Sequence, residues 1–385
     1  MNSTAYWDQF LAADYAKKLQ LFEQYLNQTN DKALLAVQML DVLYRETAVR
    51  HQRDRFQVLA SLLHDKHPTL WQSESLIIHY RLLANALVEK RVTDIPDLLP
   101  PIAAQATKQI TLFQHILDML AYHGQETAVA QLIITAWPQI RQSTHLRPSA
   151  QQRFATQATD YLIYAHLKTA ESDITTLHTQ LAEFFPINPD GLKAHLAVLS
   201  GRRQFQWQLE DLVPAAETRP SIQQAQQNLA TLMLEFMGWL SQKQPNSWGQ
   251  ADLFRSQFPD YLAARRTGQL TERDPIGDMM RRKRPNFQLP PEPVHPLCPD
   301  AATLTRYLEH LLHATRPQPY RAAVLFTLLP AWTRFLRSRQ LLAPATETAV
   351  WQNLDQLPQK VANFWQNWPD DPLPGEHIKH IRHQF

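Results

Sequence analysis

The residues Arg281-Arg282-Lys283-Arg284 form the densest run of cations in the chain, and the aromatic Phe287 follows at once. Clustered guanidinium and ammonium groups suit phosphates, an acidic partner or a processing protease. Asp274 and Asp278 lie close in sequence and weaken that field. A solvated helix end is the plainer account of such a run, and a partner or nucleic-acid patch is the sharper one. These five residues, Arg281, Arg282, Lys283, Arg284 and Phe287, are the candidate partner-binding set.

Three other groupings could do chemistry. His377, His380 and His383 are spaced by three, so on a helix they would share a face that could hold zinc or nickel beside Glu376. Lys379 and Arg382 would repel that cation, and a frayed basic tail explains the pattern more simply. Arg45, Arg50, His51, Arg53 and Arg55 bring together the residue types that act on a phosphodiester. The helical nuclease pattern needs four residues between arginine and histidine. Five separate Arg45 from His51, which turns them to different faces, so cations near a helix C-terminus are the better reading. The single cysteine, Cys298, stands between Leu297 and Pro299, a poor setting for a thiolate held beside a base. Gly-x-Ser-x-Gly, Gly-x-x-x-x-Gly-Lys and His-Glu-x-x-His do not occur. A non-catalytic protein, with no cofactor, follows from these readings.

The elements that must position such groups are helical. Only 8 of 385 residues are glycine, and the first is Gly124, which is too few for hairpin turns, bulges or phosphate loops. The 27 prolines fall mainly between apolar stretches, where they punctuate helices. Trp7, Leu11, Tyr15, Leu19, Phe22 and Leu26 step by three or four, as do Leu229, Leu232, Met233, Phe236 and Leu240. Each set makes one stripe on an amphipathic helix. Plausible N-caps at Asn30 or Asp31, Thr69, Thr107, Ser149 and Asn188 or Asp190 lie about 40 residues apart. A second, shorter helix fits in each interval, at residues 56–63, 95–106, 127–140 and 174–185. The spacing predicts an all-α fold of stacked helix hairpins, an α-solenoid in which each hairpin is buried by its neighbours.

Within this array, Ala158-Thr159-Asp160-Tyr161-Leu162-Ile163-Tyr164-Ala165 through Leu181-Ala182-Glu183-Phe184-Phe185-Pro186-Ile187-Asn188-Pro189 resembles a degenerate tetratricopeptide unit. The Leu-Gly step of that family is missing from the first helix. The longer repeat is similar to the HEAT type, without its recurring Asp and Arg. The resemblance covers residues 31 to about 200. It implies architecture and carries no functional residue across.

Six prolines at 285, 290, 291, 293, 296 and 299 predict an extended connector over 285–299. The expected organisation is a helical repeat domain over 1–284, that connector, a C-terminal helical module over 300–369 and a tail over 370–385. The net charge of +2 gives no overall field for nucleic acid or an acidic membrane. One cysteine excludes an internal disulfide framework and fits a reducing compartment. The N-terminal residues show no signal-peptide pattern, and no apolar run nears the roughly 20 residues of a membrane span, so a cytoplasmic protein is expected. The function that follows is an adaptor or regulatory subunit of a macromolecular complex. It would hold a peptide or helical segment of another protein in inter-helix grooves, with tryptophans such as Trp207, Trp239, Trp248, Trp332, Trp351, Trp365 and Trp368 as candidate anchors. The alternatives are a nucleic-acid-associated factor using residues 281–284, and a protein regulated by proteolysis in the connector.

Overall fold

Proline and short polar side chains decide where helices begin in this chain. Pro68, Pro148, Pro189, Pro319 and Pro344 each open a helix, where the missing N–H costs no intrahelical bond. Asn188 and Asp173 cap theirs by accepting the backbone N–H of Asp190 at 2.9 Å and of Thr175 at 3.0 Å. The computed structural model describes residues 3–28, 33–168, 173–216, 218–270, 293–313, 317–355 and 371–382, with Leu357, Val361 and Trp365. Among the described residues there are nineteen α-helices, one short 3-10 turn and no strand, so the chain is all-α.

The first compact unit comprises Met1–Ile116, Gln131–Gln151 and Gln366–Leu373. It begins with α1 (Ser3–Ala12), α2 (Tyr15–Gln28), α3 (Ala33–Val49), α4 (Asp54–Lys66), α5 (Pro68–Val88) and α6 (Ile95–Ala103). Each of α1 to α5 packs against the next helix in sequence, and α1, α2 and α3 also meet the next but one. Phe10, Phe22, Met39, Leu43, Tyr44 and Phe56 fill the core between them. The single stripe expected from Trp7 to Leu26 is broken here. Asp14 accepts the N–H of Lys17 at 2.8 Å and starts a new helix, so Tyr6 and Phe10 turn inward while Leu11 stays 46 % exposed.

The remaining helices are α7 (Ile110–Tyr122), α8 (Glu126–Gln142), α9 (Pro148–Lys168), α10 (Ile174–Ala182), α11 (Pro189–Leu199), α12 (Leu209–Leu212), α13 (Arg219–Lys243) and α14 (Trp248–Arg266), followed by α15 (Ala301–His313), α16 (Pro319–Thr327), α17 (Leu329–Ser338), α18 (Pro344–Leu354) and α19 (Leu373–Arg382). The second compact unit comprises Leu117–Ala130, Gln152–Trp365 and Pro374–Phe385. At its centre α14 packs against α13, α15 and α16, and it buries residues around much of its circumference. The C-terminal helices therefore share a core with α13 and α14. Trp332 of α17 lies in that core, fully buried among Phe236, Phe254, Phe258 and Phe335.

Scarce glycine leaves a mark on the helix ends. Gly124, Gly201 and Gly268 take positive φ after their helices, but His51, Lys90 and Gln340 do so as well, at φ 55°, 57° and 60°. The following N–H bonds back in each case: Gln52 to Thr47 at 2.9 Å, Arg91 to Ala86 at 2.8 Å and Leu341 to Leu336 at 2.9 Å. A side chain in this region costs about 1–2 kcal/mol, which glycine avoids while giving some of it back in entropy. All three residues are exposed. Replacing Lys90 or Gln340 by Gly is expected to raise stability by about 0.5–1 kcal/mol, read as a higher urea midpoint.

Candidate functional site

A groove of about 980 Å³ runs between helices of the second unit. One wall is the end of α14, and α13 forms another with Ala225 and Leu229. Leu212, Val213 and Pro214 close one side at the end of α12, while α15 contributes Ala302, Thr303 and Arg306. The last wall is a turn at Pro293–Pro299. Pro259 sits on the groove side of α14, and with no N–H it leaves the carbonyl of Arg255 without its usual helical donor.

That turn comes from the proline-rich stretch, and it is not a solvated spacer. His295, Leu297 and Cys298 are buried. Arg265, at the end of α14, grips the turn by donating to the carbonyls of Cys298 and Pro296, the latter at 2.5 Å. Trp332 donates its indole N–H to the Leu297 carbonyl at 2.8 Å. The imidazole of His295 uses both nitrogens: Nδ1 accepts the Leu297 N–H at 3.2 Å, so Nε2 carries the proton and donates to the Leu341 carbonyl at 3.0 Å. Burial lowers its pKa, in keeping with a neutral ring. Asp300 caps α15 by accepting the N–H of Thr303 at 2.9 Å.

The groove presents aliphatic and proline surface, with Val294 44 % exposed on its rim. Its charges come from Asp260, Asp300, Arg265, Arg266 and Arg306. Burial pushes the Cys298 thiol up to about 12, so it stays protonated at neutral pH and offers no nucleophile. Chemically the groove can bury apolar surface and orient it by a few charges. No tryptophan lines it among the described residues. Trp248, Trp332 and Trp365 are core residues, Trp207, Trp239 and Trp351 are half-buried, and Trp368 lies outside the described residues.

The candidate residues Arg281, Arg282, Lys283, Arg284 and Phe287 lie outside the described residues, as do residues 285–292 of the expected connector. The basic cluster of the first unit is tied to internal partners. Arg45 pairs with Asp41 at 3.2 Å, the Arg50 guanidinium lies 5.0 Å from the centre of the Tyr15 ring, and buried Arg53 donates to Asn85 at 3.0 Å. His377 meets the Tyr122 hydroxyl at 2.9 Å, while the side chains of His380 and His383 fall outside the described ones. Among the described residues, no group of three or more His, Cys, Asp or Glu is placed to hold a metal ion, and no helix is long and apolar enough to cross a membrane. The sequence carries only faint signals of the groove. They are a proline inside the helix Trp248–Arg266 and the apolar residues Leu297 and Cys298 among the prolines.

No family model, curated protein or solved structure matches the chain.

Proposed function

We propose that the chain is a non-catalytic adaptor or regulatory subunit whose groove takes an apolar stretch of another protein. The observation that carries this reading is the groove itself, about 980 Å³ of mainly aliphatic and proline surface with exposed Val294 at its edge. Such a volume accommodates several side chains of an extended or helical segment. Helix starts at Ala33, Pro68, Ile110, Pro148 and Pro189, near the expected period, support a stacked-hairpin arrangement like that of tetratricopeptide and HEAT-type repeats. Free, buried Cys298 suits a reducing compartment, and a cytoplasmic setting is part of the proposal.

The test compares the intact chain with a Val294→Glu, Ala302→Glu double variant in quantitative native pull-downs. Val294 and Ala302 are both exposed groove residues, so the variant keeps its fold. The expected result is a partner captured by the wild type and reduced at least about tenfold by the variant, since a carboxylate facing an apolar ligand costs well over 1 kcal/mol. An identical set of captured proteins, or none with the wild type, would reject the groove as the binding surface.

A further inference from the structure

Away from the groove, the second unit gathers a set of ionised groups around Arg255 of α14, buried or half-buried except for the exposed Lys168. Asp118 on α7 accepts from Arg321 of α16 through Nε at 2.6 Å and Nη2 at 3.1 Å. Glu126, at the start of α8, accepts the N–H of Gly249 at 3.0 Å and pairs with Lys168 of α9 at 2.5 Å. Asp252 of α14 accepts the Tyr164 hydroxyl at 2.8 Å, Arg255 Nε at 3.2 Å and Arg255 Nη2 at 2.6 Å. Asp160 of α9 meets that same Nη2 nitrogen, at 2.5 Å. Three cations thus serve four carboxylates, and the shortfall falls on Asp160, which shares its donor with a better-supported rival.

His195 and Tyr161, which lie beside the cluster, do not make up the difference. Burial, and then the nearby Arg255 guanidinium, lower the pKa of His195 on α11, which favours the neutral ring. The Tyr161 hydroxyl is fully buried close to these carboxylates and has no hydrogen-bond partner among the described residues. Burial and the carboxylates push its pKa well up, so it adds no cation and no further charge.

We propose that the Asp160–Arg255–Asp252 cluster is a proton-binding site, in which one proton taken up at Asp160 completes the charge of the network between α9 and α14. With Asp160 protonated, Arg255 faces a single carboxylate and Asp160 becomes a hydrogen-bond donor. With Asp160 ionised, two carboxylates compete for one guanidinium in a setting that water reaches poorly. Burial first, and then the charge of Asp252, raise Asp160 from 3.8 to about 6 against the lowering pull of Arg255. The folded chain therefore holds this proton more tightly than the unfolded one. The contribution to stability is fully present below about pH 4 and is lost as pH rises through about 6. The site stands whether or not the groove takes a partner.

The experiment follows thermal unfolding of the full chain and of its Asp160→Asn variant from about pH 4.5 to about 8, alongside carboxyl ¹³C spectra of aspartate-labelled wild type. Asparagine imitates the protonated carboxyl, so wild type and variant are expected to unfold together in acid. The wild type then drops below the variant by about 2–4 °C as pH passes 6. In the spectra, one aspartate titrates with a midpoint near 6, and Asp252→Asn moves that midpoint down because Arg255 is no longer shared. A pH-independent gap between wild type and Asp160→Asn overturns the proposal. So does a spectrum in which no resonance responsive to Asp252→Asn titrates between about pH 5 and 7. The spectra of wild type and Asp252→Asn decide the matter even if Asp160→Asn fails to fold.

Discussion

Gly249→Ala is expected to lower the stability of the chain by about 2–6 kcal/mol, read as a fall in the urea midpoint. Gly249 lies in the first turn of α14, where a Cβ would land well inside van der Waals contact with the backbone of Ala121 in α7. The obstacle is a carbonyl and a Cα, so no side-chain rotation can relieve it. Overpacking of this kind costs about 1–3 kcal/mol. Moving α14 away to escape it would also break the bond from the Gly249 N–H to Glu126 at 3.0 Å. A buried carboxylate oxygen would then lack a donor, adding about 1–3 kcal/mol. Gly238→Ala meets the Leu199 carbonyl in the same way. Gly191→Ala is the control: its nearest neighbour would be the Asn188 Cβ at 3.8 Å, and it should gain about 0.5–1 kcal/mol from helix propensity. If Gly249→Ala behaves like Gly191→Ala, the close approach of α14 to α7 is wrong.

Helix content was legible because it rests on local signals. Asn188 serves as the N-cap that its position before Pro189 implies. The short helices expected at 56–63, 95–106, 127–140 and 174–185 appear as Asp54–Lys66, Ile95–Ala103, Glu126–Gln142 and Ile174–Ala182. Where the reading failed, a single side chain outweighed the period. At Asp14 one carboxylate restarts the helix, although the stripe from Trp7 to Leu26 runs on through it. Thr69 and Ser149 sit one residue inside helices opened by Pro68 and Pro148, because proline fixes φ one position earlier than the hydroxyl would. The alternative caps Asn30 and Asp31 lie outside the described residues.

The groove was hidden for a different reason. Its walls are joined by contacts between residues far apart in sequence, such as Arg265 with Cys298 and Trp332 with Leu297. Proline frequency over 285–299 reports backbone stiffness alone. It cannot tell a stretch held by a buried arginine from one exposed to water. The Arg255 network was similarly illegible, since Asp118, Asp160, Asp252 and Arg321 lie on four different helices. Only the Asp252–Arg255 pair, three residues apart on one turn of α14, leaves a trace in the sequence.

The groove and the core meet at Trp332, and Trp332→Ala should be among the most damaging single substitutions. The indole is fully buried, with the rings of Phe236, Phe258 and Phe335 centred 5.2, 5.5 and 5.7 Å away. Truncating it to alanine leaves a large cavity worth about 3–5 kcal/mol. The Leu297 carbonyl loses its indole donor as well, adding about 1–3 kcal/mol. Trp332→Phe weights the two effects differently, because it keeps one aromatic ring in the site while removing the N–H and the second ring of the indole. It should cost about 1–3 kcal/mol and leave the urea m-value unchanged. Leu297 is a wall of the groove, so Trp332→Phe should also weaken capture of the partner proposed for the groove beyond what its stability loss explains. Equal costs for the alanine and phenylalanine variants would mean that the hydrogen bond, and not the packed rings, carries the contribution of Trp332. A cost below about 1.5 kcal/mol for Trp332→Ala would place the indole outside the core.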